Sequence, residues 1–251
     1  GAKPLLDRGA FDAPKVDFVV GQHVQPEVPL GVLAWRKGPV MAAADRFRLV
    51  VRGTAGHAAA PNRGPDAILV ASEIVQGLQA LVSRVREPVD PVVVSVGMIH
   101  GGTRHNILPS EVEIDGTVRT FRPETRELLE RRLRQRVSHI AKSMGARVSI
   151  RYIRGYPVTV NTPEATDTVA KALIGEFGES RVVELERPLM GAEDFSRYLE
   201  RVPGTFLFLG VGTPGRFASL HSPEFAPQES ALVVGAATLV TAVDALQRGA
   251  R

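Results

Sequence analysis

Three histidines stand at glycine- or proline-flanked positions far apart in the chain. They are His23 in Gly21-Gln22-His23-Val24-Gln25-Pro26, His57 in Gly53-Thr54-Ala55-Gly56-His57-Ala58-Ala59-Ala60-Pro61, and His221 in Leu220-His221-Ser222-Pro223. Turns beside strand ends are where metal ligands and catalytic imidazoles are presented. Neutral imidazole suits Zn²⁺, Mn²⁺ or Co²⁺. A hydrolytic metal centre also needs carboxylates and a general base. The chain has no His-x-Asp, no Glu-Glu pair and no His-Glu-x-x-His. Half of a site is written here and half is missing.

Other residues add to the candidates. Asn106, before Ile107-Leu108-Pro109, reads as a turn or cap residue or as a polar substrate contact. Arg119 ends an expected strand, where a guanidinium either pairs with a neighbouring carboxylate or clamps a bound one through two hydrogen bonds. Glu193 and Asp194 open an expected short helix, where the helix dipole already favours acids. His100, His105 and His139 read as structural or solvent-facing, and Trp35, the single tryptophan, as core.

The elements that must position these residues fall into two patterns. Arg46-Phe47-Arg48-Leu49-Val50-Val51 has strand period. Ala67, Val70, Ala71, Ile74, Leu78 and Leu81 then line one face of a helix that starts at Pro65-Asp66. Strands follow near 92–96 and 112–118. A helix opens at Pro123 and runs to Met144, where Gly145 stops it, and a last strand covers 147–152. The order β-α-β-β-α-β over 44–156 predicts a ferredoxin-like unit with both helices on one face of an antiparallel sheet. The flanks, 1–43 and 157–251, predict an α/β sheet unit. It has a strand at 16–20 ahead of His23, a helix after Pro163, a short strand at 182–185, a helix at 192–199, an apolar strand at 205–212 and a packed apolar helix at 227–247. Hinges are expected at 41–44 and 155–158. Two clear strands and one short one are few for such a sheet, which predicts that an N-terminal portion of that domain is absent.

Bulk properties narrow the classes. A chain of 251 residues with 44% hydrophobic and 23% charged residues is ordinary for a soluble globular protein. No cysteine is present, so disulfides and thiolate ligands are excluded. No apolar run is expected to reach the roughly 20 residues of a membrane span, and no apolar signal region opens the sequence. A cytoplasmic protein with no membrane partner is the expectation. The net charge of +4 is mostly arginine, but the densest basic run, 126–136, interleaves Glu127 with Arg131 and Glu130 with Arg134 at helix-pair spacing. It reads as a solvated helix face. The strands at 92–96 and 112–118 lack the aromatics that stack nucleic-acid bases, so no nucleic-acid partner is expected.

Six ordered motifs then resemble those of the two-metal aminoacylase/carboxypeptidase family, which includes hippurate hydrolases, indole-acetyl-amino-acid hydrolases and glutamate carboxypeptidases. They are Gly21-x-His23-Val24-x-Pro26, Gly53-x-x-Gly56-His57-Ala58-x-x-Pro61, Gly101-Gly102-x-x-x-Asn106-Ile107-x-Pro109, Gly116-Thr117-Val118-Arg119-Thr120-Phe121, Met190-Gly191-Ala192-Glu193-Asp194-Phe195 and Leu220-His221-Ser222-Pro223. They span essentially the whole chain.

The resemblance implies a zinc-peptidase-like α/β catalytic domain carrying an inserted lid and dimerisation domain. It implies two divalent metals (Zn, Mn or Co), with His23 and His221 as ligands to different ions. It makes His57 an oxyanion donor reaching across a homodimer, and Asn106 and Arg119 the holders of the substrate's carbonyl and free carboxylate. The implied reaction is metal-assisted hydrolysis of an N-acyl amino acid or related small peptide substrate. The family's first ligand pair and its Glu-Glu lie upstream of a glycine-rich run followed by Ala-Lys, whereas this sequence opens Gly1-Ala2-Lys3. Position 62 is Asn, where the branch often has His. The expectation is a chain that is catalytically incompetent alone, or a non-catalytic dimerisation or binding fragment.

Overall fold

A computed structural model describes residues 1–84, 87–212 and 218–249. The chain divides into two units, 1–42 with 157–251, and 43–156. The first unit opens with α1 (Ala2–Asp7), β1 (Val19–Pro29), β2 (Leu33–Trp35) and β3 (Gly38–Met41). The second contains β4 (Ala43–Arg52), β5 (Gly56–His57), a 3-10 turn at Pro61–Arg63, α2 (Ala67–Arg84), β6 (Val93–Gly101), β7 (Ile107–Leu108), β8 (Glu111–Thr120), α3 (Pro123–Ser143) and β9 (Arg147–Arg154). The chain then returns to the first unit. There it forms β10 (Thr159–Asn161), α4 (Pro163–Phe177), a 3-10 turn at Glu179–Arg181, β11 (Val182–Glu184), α5 (Ser196–Leu199), β12 (Gly204–Gly212) and α6 (Ser230–Gly249).

In the second unit the sheet order is β6-β8-β4-β9, with every neighbour antiparallel. Alternation sends Phe47, Leu49, Val51, Val112, Ile114 and Val118 to one face, where they pack on Val70, Ile74 and Leu78 of α2 and Leu129, Leu133 and Val137 of α3. Each such buried aliphatic side chain contributes about 1.5–3 kcal/mol. Asp66 starts α2 by accepting the N–H groups of Ile68 and Leu69 at 2.8 and 3.2 Å. Gly145, at φ +72°, ends α3, and Ala146 N–H bonds back to Ala141 O at 2.9 Å. Gly53 allows close approach to the start of α2, since a Cβ there would lie 2.3 Å from Pro65 O.

One buried carboxylate ties this unit together. Asp45, 4% exposed, accepts Arg126 Nε at 2.9 Å and Nη2 at 2.5 Å, Tyr152 O–H at 2.9 Å and Gly155 N–H at 3.0 Å. Burial, with Asp45 beside it, pushes the Tyr152 phenol up, so it stays a donor. The basic run of α3 therefore differs from expectation in two respects. Arg126 is turned inward, and Glu127–Arg131 is not among the ion pairs of the described residues. Glu130 does pair with Arg134 at 3.0 Å and also reaches Arg154 at 2.9 Å.

The first unit is a mixed sheet, β1-β12-β2-β11, with a separate β3–β10 pair. β12 is buried along nearly its whole length. Leu207, Leu209 and Val211 share one core with Leu33, Trp35 and residues of α4 and α6. Phe206 and Phe208 join Ala34, Val40 and Phe195 in another. The unit has six described strands, four of them in the main sheet, where three were expected. Three further corrections follow. The strand expected at 16–20 is instead β1, Val19–Pro29. The helix expected at 192–199 is only Ser196–Leu199. α6 buries just one small-residue stripe, Ala231, Gly235, Thr238, Ala242 and Leu246, while Leu232, Val233 and Val240 are 68%, 74% and 71% exposed. By length and composition α6 also matches a membrane span, at mean hydropathy 1.5 over its best window, contrary to the expectation that no run would. That stripe nonetheless packs on the unit's own sheet residues.

Candidate functional site

His23 lies inside β1, opposite Phe208 of β12, and not in a turn beyond a strand. Alternation along β1 puts Gln22 toward α6, where its Nε2 donates to Gly235 O at 3.0 Å, and His23 on the other face. Gly21 shares that face, and a Cβ on it would collide with Phe195 and Phe206. His23 Nδ1 is 2.7 Å from Val24 O. A carbonyl can only accept, so Nδ1 carries a proton, and in the neutral ring the lone pair is then on Nε2. Metal-binding imidazoles are oriented by the same kind of bond.

His221 is exposed, and it is the one non-glycine residue with positive φ, +66°, among the described residues. Histidine is one of the types that tolerate this region, and sparsely populated backbone conformations cluster at functional sites. Glu193 and Asp194 precede α5. Asp194 Oδ2 accepts Ala2 N–H at 2.7 Å, and Glu193 Oε1 accepts Asp194 N–H at 2.9 Å. Among the described residues, no set of three His, Asp or Glu side chains is placed to hold a metal ion. The donors present do not by themselves fit a two-metal centre.

In the second unit, β5 and β7 form a two-residue ribbon that pairs His57 with Ile107. Ala58 N–H bonds Asn106 O at 3.0 Å, so His57 and Asn106 sit side by side on an exposed edge. Elements this short carry no periodicity, and this pairing was not readable from the sequence. Ala59 N–H donates to His57 Nδ1 at 3.0 Å. His57 is therefore the opposite tautomer to His23, with its proton on Nε2, facing outward as a donor.

Arg119 lies elsewhere. Gly53 N–H meets Ser110 O at the start of β8, near the ribbon, while Arg119 stands near the far end of β8, opposite Ala44 and Val93. Eight residues of strand separate Arg119 from Glu111, about 27 Å. One copy of the unit does not bring His57 and Arg119 together. Along the open face, Arg46 pairs with Asp115 at 2.5 Å, Arg48 with Glu113 at 2.5 Å and Arg52 with Glu111 at 3.2 Å. Hydrogen bonds from Arg46 hold the Asp115 carboxyl below the usual carboxylate range. Arg119 has no such partner among the described residues. His100, His105 and His139 are exposed, and Trp35 is in the core.

Comparison with known proteins places these features. The model of Peptidase family M20/M25/M40 matches residues 1–245. Thermostable carboxypeptidase 1 of Saccharolobus solfataricus is 39% identical over 94% of this chain and 59% of its own length. N-acetyldiaminopimelate deacetylase of Enterococcus faecalis is 36% identical over 94% of this chain and 61% of its own. Among solved structures, a putative aminohydrolase from methicillin-resistant Staphylococcus aureus superposes with TM-score 0.82 at 32% identity, covering 98% of this chain and 62% of that one. A Bacillus subtilis protein described as a dinuclear metal binding peptidase superposes at 0.76 with 28% identity, covering 96% and 60%. The chain thus spans about three fifths of the length of the relatives it matches.

Proposed function

The chain belongs to Peptidase family M20/M25/M40, and from that premise we propose that it carries part of a metal-dependent amidohydrolase or carboxypeptidase. The reaction is hydrolysis of the amide bond of an N-acyl amino acid, or a related peptide, that bears a free carboxylate. Its carboxypeptidase and deacetylase relatives support a hydrolase of C–N bonds.

The observation that carries the reading is the opposite hydrogen bonding of two histidines at Nδ1. His23 bonds through Nδ1–H and offers a lone pair, as a metal ligand must. His57 accepts at Nδ1 and offers Nε2–H, as a donor to a developing oxyanion must. Removing one such donor costs about 10²–10³ in turnover. In this reading His221 supplies a second imidazole. Arg119 holds the free carboxylate with two parallel hydrogen bonds, and Asn106 orients the carbonyl or the carboxylate. A paired centre of zinc, manganese or cobalt needs carboxylates that the described residues do not bring to His23 or His221, so the chain alone is catalytically incompetent. The same observation favours a second reading, a non-catalytic dimerisation or binding fragment of such an enzyme.

The roughly 27 Å of β8 between its end near the His57 ribbon and Arg119 supports a homodimer, in which His57 of one copy serves the other. The edge available for it is β6. Ile99 on that strand, with Ile68 and Leu69 on α2 and Ile107 on β7, are 43–54% exposed. The opposite edge strand, β9, carries Arg147, Arg151 and Arg154, the kind of charged edge that resists pairing. Light scattering should give twice the chain mass, and the paired change Leu69→Glu with Ile99→Lys should halve it. A monomeric wild-type protein removes the dimer from this reading.

A further inference from the structure

The open face of the second unit's sheet holds a groove of about 500 Å³, within the range of small-molecule sites. Its floor includes the short side chains Ser95 and Thr117, and it is walled by Met98, Ile153 and Tyr156. These three are 42%, 37% and 45% exposed. Arg119 lines the same groove. Each lengthwise arginine of β4 on this face is neutralised by a β8 carboxylate, whereas Arg119 is not paired among the described residues. The groove therefore offers one uncompensated guanidinium and large apolar walls, the complement of an organic anion with a sizeable apolar body.

Strand register sets how sizeable. Thr117 faces Arg46, and Arg46 faces Ile153, so Ile153 lies two residues along and two strands across from Arg119, about 12 Å. Met98 faces Asp115, four residues along, about 14 Å. A ligand with its carboxylate on Arg119 reaches neither wall with a hydrogen or a methyl group. Only an aromatic or long aliphatic group extends toward them.

We propose that this groove is a specificity pocket for carboxylates carrying an aromatic or long aliphatic group, so that the amino-acid part of the substrate is large and apolar. The proposal rests on the reading of Arg119 as the carboxylate clamp. Burying such a group against these walls favours it over glycine by at least about tenfold.

The test is a titration of the full chain, followed by the methyl NMR signals of Met98 and Ile153, with N-acetyl-L-phenylalanine, N-acetylglycine and N-acetyl-L-aspartate. The phenylalanine ligand should shift both methyls and saturate at a concentration at least about tenfold lower than the other two. Arg119→Gln should abolish binding of all three. Ile153→Lys and Met98→Lys, made separately, should bring the phenylalanine ligand down to the glycine level and leave N-acetylglycine unchanged. Equal affinity for the three ligands, lost together in Arg119→Gln, overturns the pocket and leaves the clamp standing. Binding indifferent to Arg119→Gln, or no binding by any of them, overturns the clamp and the pocket with it.

Discussion

The two units dispose of their apolar surface in different ways. The unit of 43–156 buries one stripe of α2 and one of α3 on a single sheet face, and it covers much of the other face with cross-strand ion pairs. In the remaining unit, α6 buries small residues and leaves Leu232, Val233 and Val240 outward. The unit of 43–156 shows its exposed apolar residues at the β6 edge, on α2 and in the groove beside Arg119; the other shows them along the outer face of α6. The difference also separates two kinds of candidate residue. His57, Asn106 and Arg119 are set on the unit of 43–156, whereas His23 and His221 have no matching set of carboxylates among the described residues.

Substitutions can break or sharpen that contrast. The largest effect is expected at Asp45, whose removal takes away the buried carboxylate that Arg126, Tyr152 and Gly155 bond. Asp45→Ala should cost about 3–5 kcal/mol in urea denaturation. A loss of under about 1 kcal/mol would mean that the carboxylate does not organise the unit. A smaller effect is expected from Asp115. Its folded-state pKa is depressed by Arg46, so its stabilisation is present above the ordinary aspartate value of about 3.9 and is lost as pH falls through the lower folded value. Asp115→Asn should flatten that part of the acid limb of stability against pH. An unchanged acid limb would show that the pair is too solvated to matter. The smallest effect is expected at Val240. Val240→Ala should lie within about 0.5 kcal/mol of wild type. A cost like that of a core residue would show that the outer face of α6 is covered in solution.

Much of the fold was legible because period and punctuation agree. α4 begins at Pro163 and ends at Phe177 as its apolar spacing and flanking residues suggest, and the β-α-β-β-α-β order of 43–156 follows from alternation and helical stripes. β2, β3 and β10 escaped because three or four residues carry no period. β1 was cut short because Gln25-Pro26-Glu27 reads as a loop, although an edge strand tolerates proline. The packed character assigned to α6 came from counting apolar residues without regard to which face the sheet covers. At the candidate site, residue types were readable and relations were not. The bond from His23 to Val24 and the ribbon joining His57 to Asn106 depend on local geometry. The inward turn of Arg126 depends on Asp45, distant in sequence.

The central claim is that the described residues offer single imidazoles and no complete metal centre. Metal content per chain, measured after incubation with excess Zn²⁺ or Mn²⁺ and desalting, tests it most directly. The account predicts little retained metal and no hydrolysis of N-acetyl amino acids. About two tightly held ions per chain, the number a paired centre requires, together with measurable hydrolysis, would contradict it.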